Sequence, residues 1–379
     1  MSVSRTRTAG NGVPARLLAT PAPREEWLAL LAADPEALPF QHPSWTDAVL
    51  ETSGGRDASR LYELPSGTRA VLPAVARPGE VLGRSTGPVL LASQPFGWGM
   101  GGLVVPGRHL APTDVAAVFA DLAASGALLA TLRPAPRRSA AYRVAAPATA
   151  VPVAHTAHVL DLDGGFETVW DQRFNGKARR AVRKAERMGV TVEWDASGRL
   201  VPVFDELYRR SVQRWAEQQH EPLWLARARA RRNDPPRKFA AVAGALGNAC
   251  RVWVASVAGQ PAAAMITLHV GEHAVYWRGA MDKEVAGPAR ANDLLHRLAI
   301  EQATADGARH YHFGDSAPGS GLAQFKESFG ALPISYEAYR LERLPISRAD
   351  ALLRGLVKRV LRHQDRPSPV PPRMPAGQS

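Results

Sequence analysis

Cysteine is almost missing from this chain of 379 residues, in which Cys250 stands alone. A single cysteine excludes an internal disulfide framework and fits a reducing compartment. Because Cys250 lies in an apolar run, we interpret it as a small buried hydrophobe. Long apolar runs are missing as well: the sequence has no stretch of about 18 such residues, which excludes a membrane-spanning helix.

The first residues, MSVSRTRTAGNGVPAR, lack the apolar core of a signal peptide, so we expect a cytoplasmic protein. Acidic residues are outnumbered, 35 to 47, by lysine and arginine, and the net charge is +12. This surplus suits anionic partners such as tRNA, coenzyme phosphates, a nucleotide-linked sugar or an anionic membrane surface. The alternative is an arginine-rich surface that serves no particular partner.

The length fits two domains of about 150–190 residues each. Segment 134–152 is rich in Ala, Pro and Arg, and it marks the join between them. Both halves show a similar order of helices and strands, which suggests a structural duplication. The predicted organisation is a disordered N-terminus over 1–23, a first domain over 24–152, a second over 153–345, and a basic helix with a disordered Pro-rich tail over 346–379.

The most informative stretch runs from Ala291 to Gly330. Its apolar spacing predicts a helix that ends at Gly307, followed by a strand over 308–313. A turn at 314–316 then leads into a short second helix that ends at Gly330. Outside this stretch, we predict a loop over 281–290 and a mobile polar segment over 221–236.

A second informative stretch is the helix predicted over 168–189. Lysine and arginine recur there at every third or fourth position, next to an apolar stripe. We predict that Lys177, Arg180 and Lys184 bind phosphate groups or RNA. The alternative is a solvated face whose long side chains cover the edge of the core.

Several other residues are candidates for a site. Asp315, in a glycine turn after a strand, is the best candidate for a catalytic carboxylate, or else it caps a turn. Arg278 follows Tyr276 on a predicted strand, and it holds an anionic substrate group or forms a structural ion pair. His310 and His312 are either a proton relay or ordinary strand residues, and with no third ligand at a suitable spacing we expect no metal.

Six short motifs occur in one order over about residues 38–340. They are Phe40-Gln41-His42-Pro43-x-Trp45, Arg179-Arg180-x-x-Arg183-Lys184-Ala185, Leu207-Tyr208-x-x-Ser211, Asn292-x-Leu294-Leu295, Tyr311-x-Phe313-Gly314 and Phe325-Lys326-x-x-Phe329-Gly330. In this set the chain resembles the Fem-type, or FemAB-like, branch of the GNAT acyltransferase superfamily. The resemblance implies an α+β fold of two GNAT-like domains in tandem, each with a mixed, mostly antiparallel sheet flanked by helices.

The resemblance also implies an enzyme that forms an amide bond on an acceptor amine, with the acyl donor in the second domain. Lys326 would stabilise the oxyanion, and Phe325 would stack on the terminal base of an RNA. The alternative is that Lys326 pairs with a nearby Glu and that Phe325 belongs to the core. We assign substrate-binding roles to Tyr276, Asn292, Trp45 and Trp98, the last in the glycine-rich segment 94–102, where we expect a loop that faces a ligand.

Three functions stay open, none with a resident cofactor, because the donor is a co-substrate. The first is aminoacyl-tRNA-dependent transfer to a cell-wall (peptidoglycan) precursor or a peptide. The second is acyl-CoA-dependent N-acylation of an envelope polysaccharide, lipid or peptide amine. The usual glycine turn that grips the CoA pyrophosphate is missing before the helix at Ala291, which counts against CoA. The segment 217–236 is too short for the long inserted helical hairpin with which some Fem-type enzymes meet tRNA, which counts against tRNA. The third is a non-catalytic scaffold that binds RNA or a membrane.

Overall fold

The computed structural model describes residues 14–81, 84–235 and 237–343. The basic helix and tail predicted over 346–379, and residues 1–13 of the predicted disordered N-terminus, lie outside this range.

The described residues form strands and helices in both halves of the chain. The strands are β1 (Arg16–Ala19), β2 (Arg56–Asp57), β3 (Arg60–Glu63), β4 (Arg69–Leu72), β5 (Val75–Val81), β6 (Arg84–Ala92), β7 (Leu129–Leu132), β8 (Val151–Asp161), β9 (Thr191–Asp195), β10 (Cys250–Val257), β11 (Gln260–Val270), β12 (His273–Met281), β13 (His310–Asp315) and β14 (Leu332–Glu342). The helices are α1 (Arg24–Ala32), α2 (Pro43–Ser53), α3 (Pro112–Ala124), α4 (Ser139–Ala145), α5 (Gly165–Thr168), α6 (Gly176–Arg187), α7 (Val201–Gln218), α8 (Leu223–Asn233), α9 (Lys238–Leu246), α10 (Lys283–Ala289), α11 (Ala291–Ala305) and α12 (Gly321–Ser328).

One long sheet runs through both halves. Its strand order is β2-β5-β6-β7-β14-β8-β13-β12-β11-β10-β9, and β1, β3 and β4 form a separate small sheet. In the long sheet, β6–β7 and β12–β13 pair in parallel, and the other pairs are antiparallel. The predicted α+β class with a mixed, mostly antiparallel sheet is confirmed.

The two halves repeat one motif. In the first half, α3 connects the parallel strands β6 and β7; in the second, α10 and α11 connect the parallel strands β12 and β13. Each such pair is followed in the sheet by an antiparallel neighbour, β14 beside β7 and β8 beside β13. This repetition supports the tandem arrangement. Because β14 pairs with β7 as well as β8, the sheet has no break at residue 152, and the domain boundaries stay a prediction.

Two large cores cover the second half of the sheet. On one face, Trp277 and Val275 pack against Phe204 and Phe239 from α7 and α9 and against Trp45 from the first half. On the other face, α6 and α11 pack over the strands, with buried side chains at Ala178, Val182, Leu294, Leu295, Ala299 and Ile300. These positions follow the helical spacing of the sequence, and Gly307 follows α11 in a left-handed conformation, as predicted.

Four segments differ from the prediction. The segment 221–236, predicted to be mobile, contains α8, because Ala226 packs against Val212 and Ala216 of α7. The loop predicted over 281–290 contains α10, which begins where the Asp282 side chain accepts a hydrogen bond from the backbone N–H of Glu284.

At the N-terminus, the disorder predicted over 1–23 is wrong for Arg16–Ala19. These residues form β1, which pairs antiparallel with β3. The predicted join over 134–152 also contains regular structure, the helix α4 and the start of β8. In the part of the chain that the structure describes, no helix is both long and apolar enough to cross a membrane.

Candidate active site

The site lies where the parallel strands β12 and β13 part. They pair only from His273 to Val275 and from His310 to His312. Beyond that point β12 continues along β11, and β13 continues along β8. Each strand carries an extra residue at the parting point, Trp277 in β12 and Phe313 in β13, which shifts the register. Such bulges redirect side chains next to active sites.

A cavity of about 280 Å³ fills the gap between the two strands. The first half of the chain contributes mainly apolar groups and glycines to its wall, and the second half contributes most of the charged groups. Its lining residues are Leu38, Phe40, Gly97, Gly99, Met100, Arg133, Ala157, Val275, Tyr276, Trp277, Arg278, His312, Phe313, Gly314, Asp315, Leu322 and Lys326. The cavity is therefore a cleft between the two halves.

Lys326 reaches the cavity from α12. Ser320 caps this helix by accepting a hydrogen bond from the backbone N–H of Ala323, and Lys326 lies one turn further on the same buried face. Its Nζ donates to the backbone carbonyl oxygens of Gly314 and Asp315, each at 2.8 Å. Burial lowers the pKa of Lys326 to about 8, against the opposing charge of Asp315. The alternative of a pair with a neighbouring Glu is not what the structure shows.

Asp315, whose backbone carbonyl holds Lys326, has an ion-paired carboxylate. It accepts hydrogen bonds from Arg133 Nη2 at 2.5 Å and from the Tyr336 hydroxyl at 3.1 Å, and His155 Nδ1 lies 3.0 Å away. Burial alone would raise the pKa of Asp315, but the hydrogen bond from His155 and the charge of Arg133 hold it below its ordinary value. A carboxylate held ionised in this way is a weak base, so it is better suited to attracting and orienting a cation.

Arg278 lines the cavity and also forms the ion pair given as its alternative. Its Nη2 lies 3.0 Å from Asp234 Oδ1 and donates to the carbonyl oxygen of Gly97 at 2.7 Å. Lys238, which is fully buried, donates from Nζ to Gly97 O, to Asn233 O and to Asp234 Oδ1, each at 2.9 Å. Burial lowers the pKa of Lys238 to about 7. These cations join the glycine-rich loop of the first half to β12 of the second.

Trp45 and Trp98 lie behind the cavity wall. Both are buried, and the Trp45 indole N–H donates to Gln94 Oε1 and to the carbonyl oxygen of Trp98. Their rings pack edge-on, 5.5 Å between centroids, and Trp45 packs likewise against Trp277. The predicted contact of these two tryptophans with substrate is incompatible with this burial, because no part of either ring lines the cavity. Their role is to support the wall that Gly97, Gly99 and Trp277 form.

Tyr276 lines the cavity, and its substrate-binding role stays a prediction; burial raises the pKa of its hydroxyl to about 12. Phe325 does not line it: its ring packs edge-on against His296 and Phe329, which is the core alternative. Asn292, near the start of α11, is partly exposed and is not among the lining residues, so its substrate-binding role stays a prediction.

The basic stripe, formed by Lys177, Arg180 and Lys184, lies on α6. The start of α6 contacts the end of α12. The backbone N–H of Asn175 donates to the carbonyl oxygen of Ser328, and Gly330 packs so closely on Arg173 that a Cβ there would lie 2.5 Å from its carbonyl oxygen. The side chains of Lys177, Arg180 and Lys184 are exposed. The stripe therefore begins next to the helix that holds Lys326.

Several partners of these residues carry no signal in the sequence. Three side chains meet at Asp315 from distant parts of the chain: Arg133, directly after β7, His155 in β8 and Tyr336 in β14. Asp234, the partner of Lys238, lies in the segment 221–236, which we expected to be polar and mobile. In the described residues, no group of three or more His, Cys, Asp or Glu side chains is placed to hold a metal ion.

Comparison with known proteins agrees with this geometry. Residues 172–327 match the model of the acetyltransferase (GNAT) domain family. The sequence matches none of the curated proteins with which it was compared. The fold is similar to that of FemX, with a TM-score of 0.59 and 12% identity over 87% of this chain and 97% of that one.

Two further solved structures share the fold. One is the C-terminal domain of a protein named as a lysylphosphatidylglycerol synthetase from Agrobacterium fabrum, with a TM-score of 0.51 and 13% identity over 88% of this chain and 96% of that one. The other is a conserved protein of unknown function from Bacteroides thetaiotaomicron, with a TM-score of 0.53 and 9% identity over 86% of this chain and 99% of that one.

The fold and the matched domain define the class of this protein. The chain carries an acyltransferase domain of the GNAT type, and the resemblance to the Fem-type branch is confirmed at the level of the fold. The cavity between β12 and β13, with Lys326 at its edge, lies within the matched domain except for the lining residues from the first half and Ala157.

Proposed function

We propose that this protein transfers an aminoacyl group from aminoacyl-tRNA to an acceptor amine on a cell-wall precursor or a peptide. The observation that carries the proposal is the contact between the end of α12, the helix that holds Lys326, and the start of α6, which carries the exposed side chains of Lys177, Arg180 and Lys184. A small acyl donor would bind within the cavity alone. A polyanionic donor such as tRNA would bind more tightly because it also contacts the cations outside the cavity.

In this reaction the amine nitrogen attacks the ester carbonyl of the donor. A C–N bond forms, the C–O bond to the ribose breaks, and the proton lost by the nitrogen ends on the ribose hydroxyl. An ammonium group has three N–H donors, and Lys326 uses two of them on Gly314 and Asp315. The third is available to the oxygen of the carbonyl under attack, where charge develops.

Asp315 binds the acceptor amine. Its ionised carboxylate attracts the incoming amine and orients it, while Arg133 and Tyr336 keep the carboxylate in place. The apolar wall from the first half, with Leu38, Phe40 and Met100, excludes water from the ester.

The test is a donor screen read by mass spectrometry. Wild-type protein is incubated with a panel of acceptor amines and either labelled aminoacyl-tRNA or acyl-CoA. Amide formation from aminoacyl-tRNA supports the proposal, and release of free thiol from acyl-CoA supports the acyl-CoA alternative. Salt-sensitive RNA binding without turnover, unchanged in Lys326→Ala, would indicate the scaffold.

The stripe is tested by removing three charges. The triple change of Lys177, Arg180 and Lys184 to Ala should raise KM for the tRNA donor at least about 10-fold and reduce the slope of log K against log salt by about 2–3, since each phosphate contact contributes about 0.7–0.9. A matched control removes three exposed arginines of the first half. These are Arg16, Arg56 and Arg69. Equal effects of both triple variants would mean that only net charge matters.

A further inference from the structure

Three histidines lie together where β12 and β13 pair, and the proposed reaction does not yet use them. They are His273, His310 and His312, all buried. His273 Nε2 lies 3.1 Å from the carbonyl oxygen of Pro35, and His273 Nδ1 lies 2.8 Å from His312 Nε2. The chain of contacts thus runs from the first half of the protein through His273 to His312, which is one of the residues that line the cavity.

The contacts fix where the hydrogens lie on both rings. A carbonyl oxygen only accepts, so Nε2 of His273 carries a hydrogen. Burial lowers the pKa of His273 to about 3, and the ring is neutral, which leaves Nδ1 as an acceptor. That nitrogen must receive its hydrogen bond from Nε2–H of His312. Burial and the neighbouring His273 hold the pKa of His312 well below its ordinary value, so this ring is neutral too.

The remaining nitrogen of His312, Nδ1, is therefore a bare acceptor. No group in the described part of the chain donates a hydrogen bond to it, and His312 is one of the residues that line the cavity. His312 is two residues from Gly314, whose carbonyl oxygen holds Lys326 Nζ. An acceptor nitrogen and an ammonium donor thus come from neighbouring points on one cavity wall.

We propose that His312 Nδ1 accepts the proton from the attacking amine, and that His273, with the carbonyl of Pro35, sets the tautomer that makes this possible. The inference rests on the proposed function. As the C–N bond forms, one N–H proton moves to His312 Nδ1. It then passes to the leaving oxygen as the C–O bond breaks, so the imidazole returns to its starting state and no further reactant is needed.

The charged groups around His273 and His312 are compatible with this proton transfer. Glu36 lies 3.9 Å from His273 Nε2, where it stabilises transient positive charge on the two rings. Arg137 and Arg108, which pair with Glu36, oppose such charge. The ring of His310 lies 5.1 Å from that of His273, but burial lowers its pKa, so it is neutral and adds no charge. The imidazolium is therefore short-lived, as a proton carrier in the transition state requires. His312 touches the reacting nitrogen and is a catalytic residue, and His273 is a positioning residue.

The test compares variants at three neighbouring histidines. His312→Phe, which keeps a ring but no nitrogen, should lower kcat about 100-fold or more, the range of one lost general base. His273→Phe should lower kcat about 10-fold, and His273→Asn, whose oxygen can take the place of Nδ1, should restore most of it. His310→Asn is the control and should stay within about twofold of wild type. A wild-type rate in His312→Phe, or an equal loss in His310→Asn, would overturn the proposal.

A second measurement needs no donor and no turnover. Nitrogen NMR of the free wild-type protein should show His273 and His312 both protonated at Nε2 and bare at Nδ1. Observation of Nδ1–H on either ring would overturn the relay even if the enzyme is active. If no donor yields an amide while the tautomers are as expected, the proposed function fails and the assignment of the hydrogens stands.

Discussion

Replacement of Lys326 by methionine removes the group on which the proposed chemistry depends and keeps most of the side-chain volume. In the structure, Nζ is held by two carbonyl oxygens at 2.8 Å, so its position is fixed before substrate arrives. Its third N–H is the donor for the oxyanion. Loss of one such preorganised donor lowers kcat by about 10²–10³, or about 2.7–4 kcal/mol of transition-state stabilisation.

The same change has opposing effects on folding. Two charge-assisted hydrogen bonds to Gly314 and Asp315 are lost, at about 1.5–3 kcal/mol each. Against this, the cost of burying the ammonium, which shows in its pKa of about 8, disappears. The two bonds together are worth about 3–6 kcal/mol, and the relief of burial corresponds to about 3 kcal/mol. We therefore expect a folded variant whose free energy of unfolding falls by no more than about 3 kcal/mol.

The assay is single-turnover amide formation at saturating donor, which separates chemistry from binding. Lys283→Met, the same substitution at an exposed lysine on α10, is the matched control and should retain the wild-type rate. If Lys326→Met, shown to be folded by circular dichroism, reacts within about threefold of wild type, Lys326 has no part in the chemical step.

Three further outcomes follow from the cavity. Gly99→Ala should lower both the thermal unfolding midpoint and kcat/KM, because Gly99 has φ +105° and a Cβ would lie 2.5 Å from the Phe40 ring. An unchanged unfolding midpoint would contradict this. Asp315→Asn should raise KM for the acceptor amine more than it lowers kcat, since the charge that faces Arg133 and the amine is lost; equal effects on both would argue for a base. The ratio of wild-type kcat/KM to that of Lys326→Arg should fall as pH rises through about 8, because the ammonium of Lys326 deprotonates there and arginine does not; a flat ratio from pH 6 to 10 would refute this.

The sequence predicted the elements that depend on local spacing. The helix from Ala291 and the short helix that carries Lys326 follow from periodicity and glycine placement within 40 residues, and the structure agrees. The strand predicted over 308–313 is found at His310–Asp315, so it includes Gly314 and Asp315 of the predicted turn, because both pair with β8. The helix α10 was missed because Gly287 and Pro288 indicate a loop, whereas the Asp282 cap and the helices around it favour a helical turn.

The parts that could not be predicted depend on contacts between distant segments. Trp45 and Trp98 look like ligand-binding aromatics beside a glycine-rich loop, yet the other half of the chain covers them with Trp277. The ionised state of Asp315 depends on Arg133, 182 positions away. Likewise, the orientation of His312 depends on a carbonyl from the first half. Such pairings follow from the order of strands in the long sheet, which no local pattern encodes.

The most direct test of the account is a crystal structure with a non-hydrolysable form of the donor that the screen identifies. We predict that the acyl carbonyl oxygen lies within hydrogen-bonding distance of Lys326 Nζ, inside the cavity between β12 and β13. The rest of the donor should extend toward α6. An acyl group bound elsewhere, or in this cavity with its carbonyl turned away from Lys326, would contradict it.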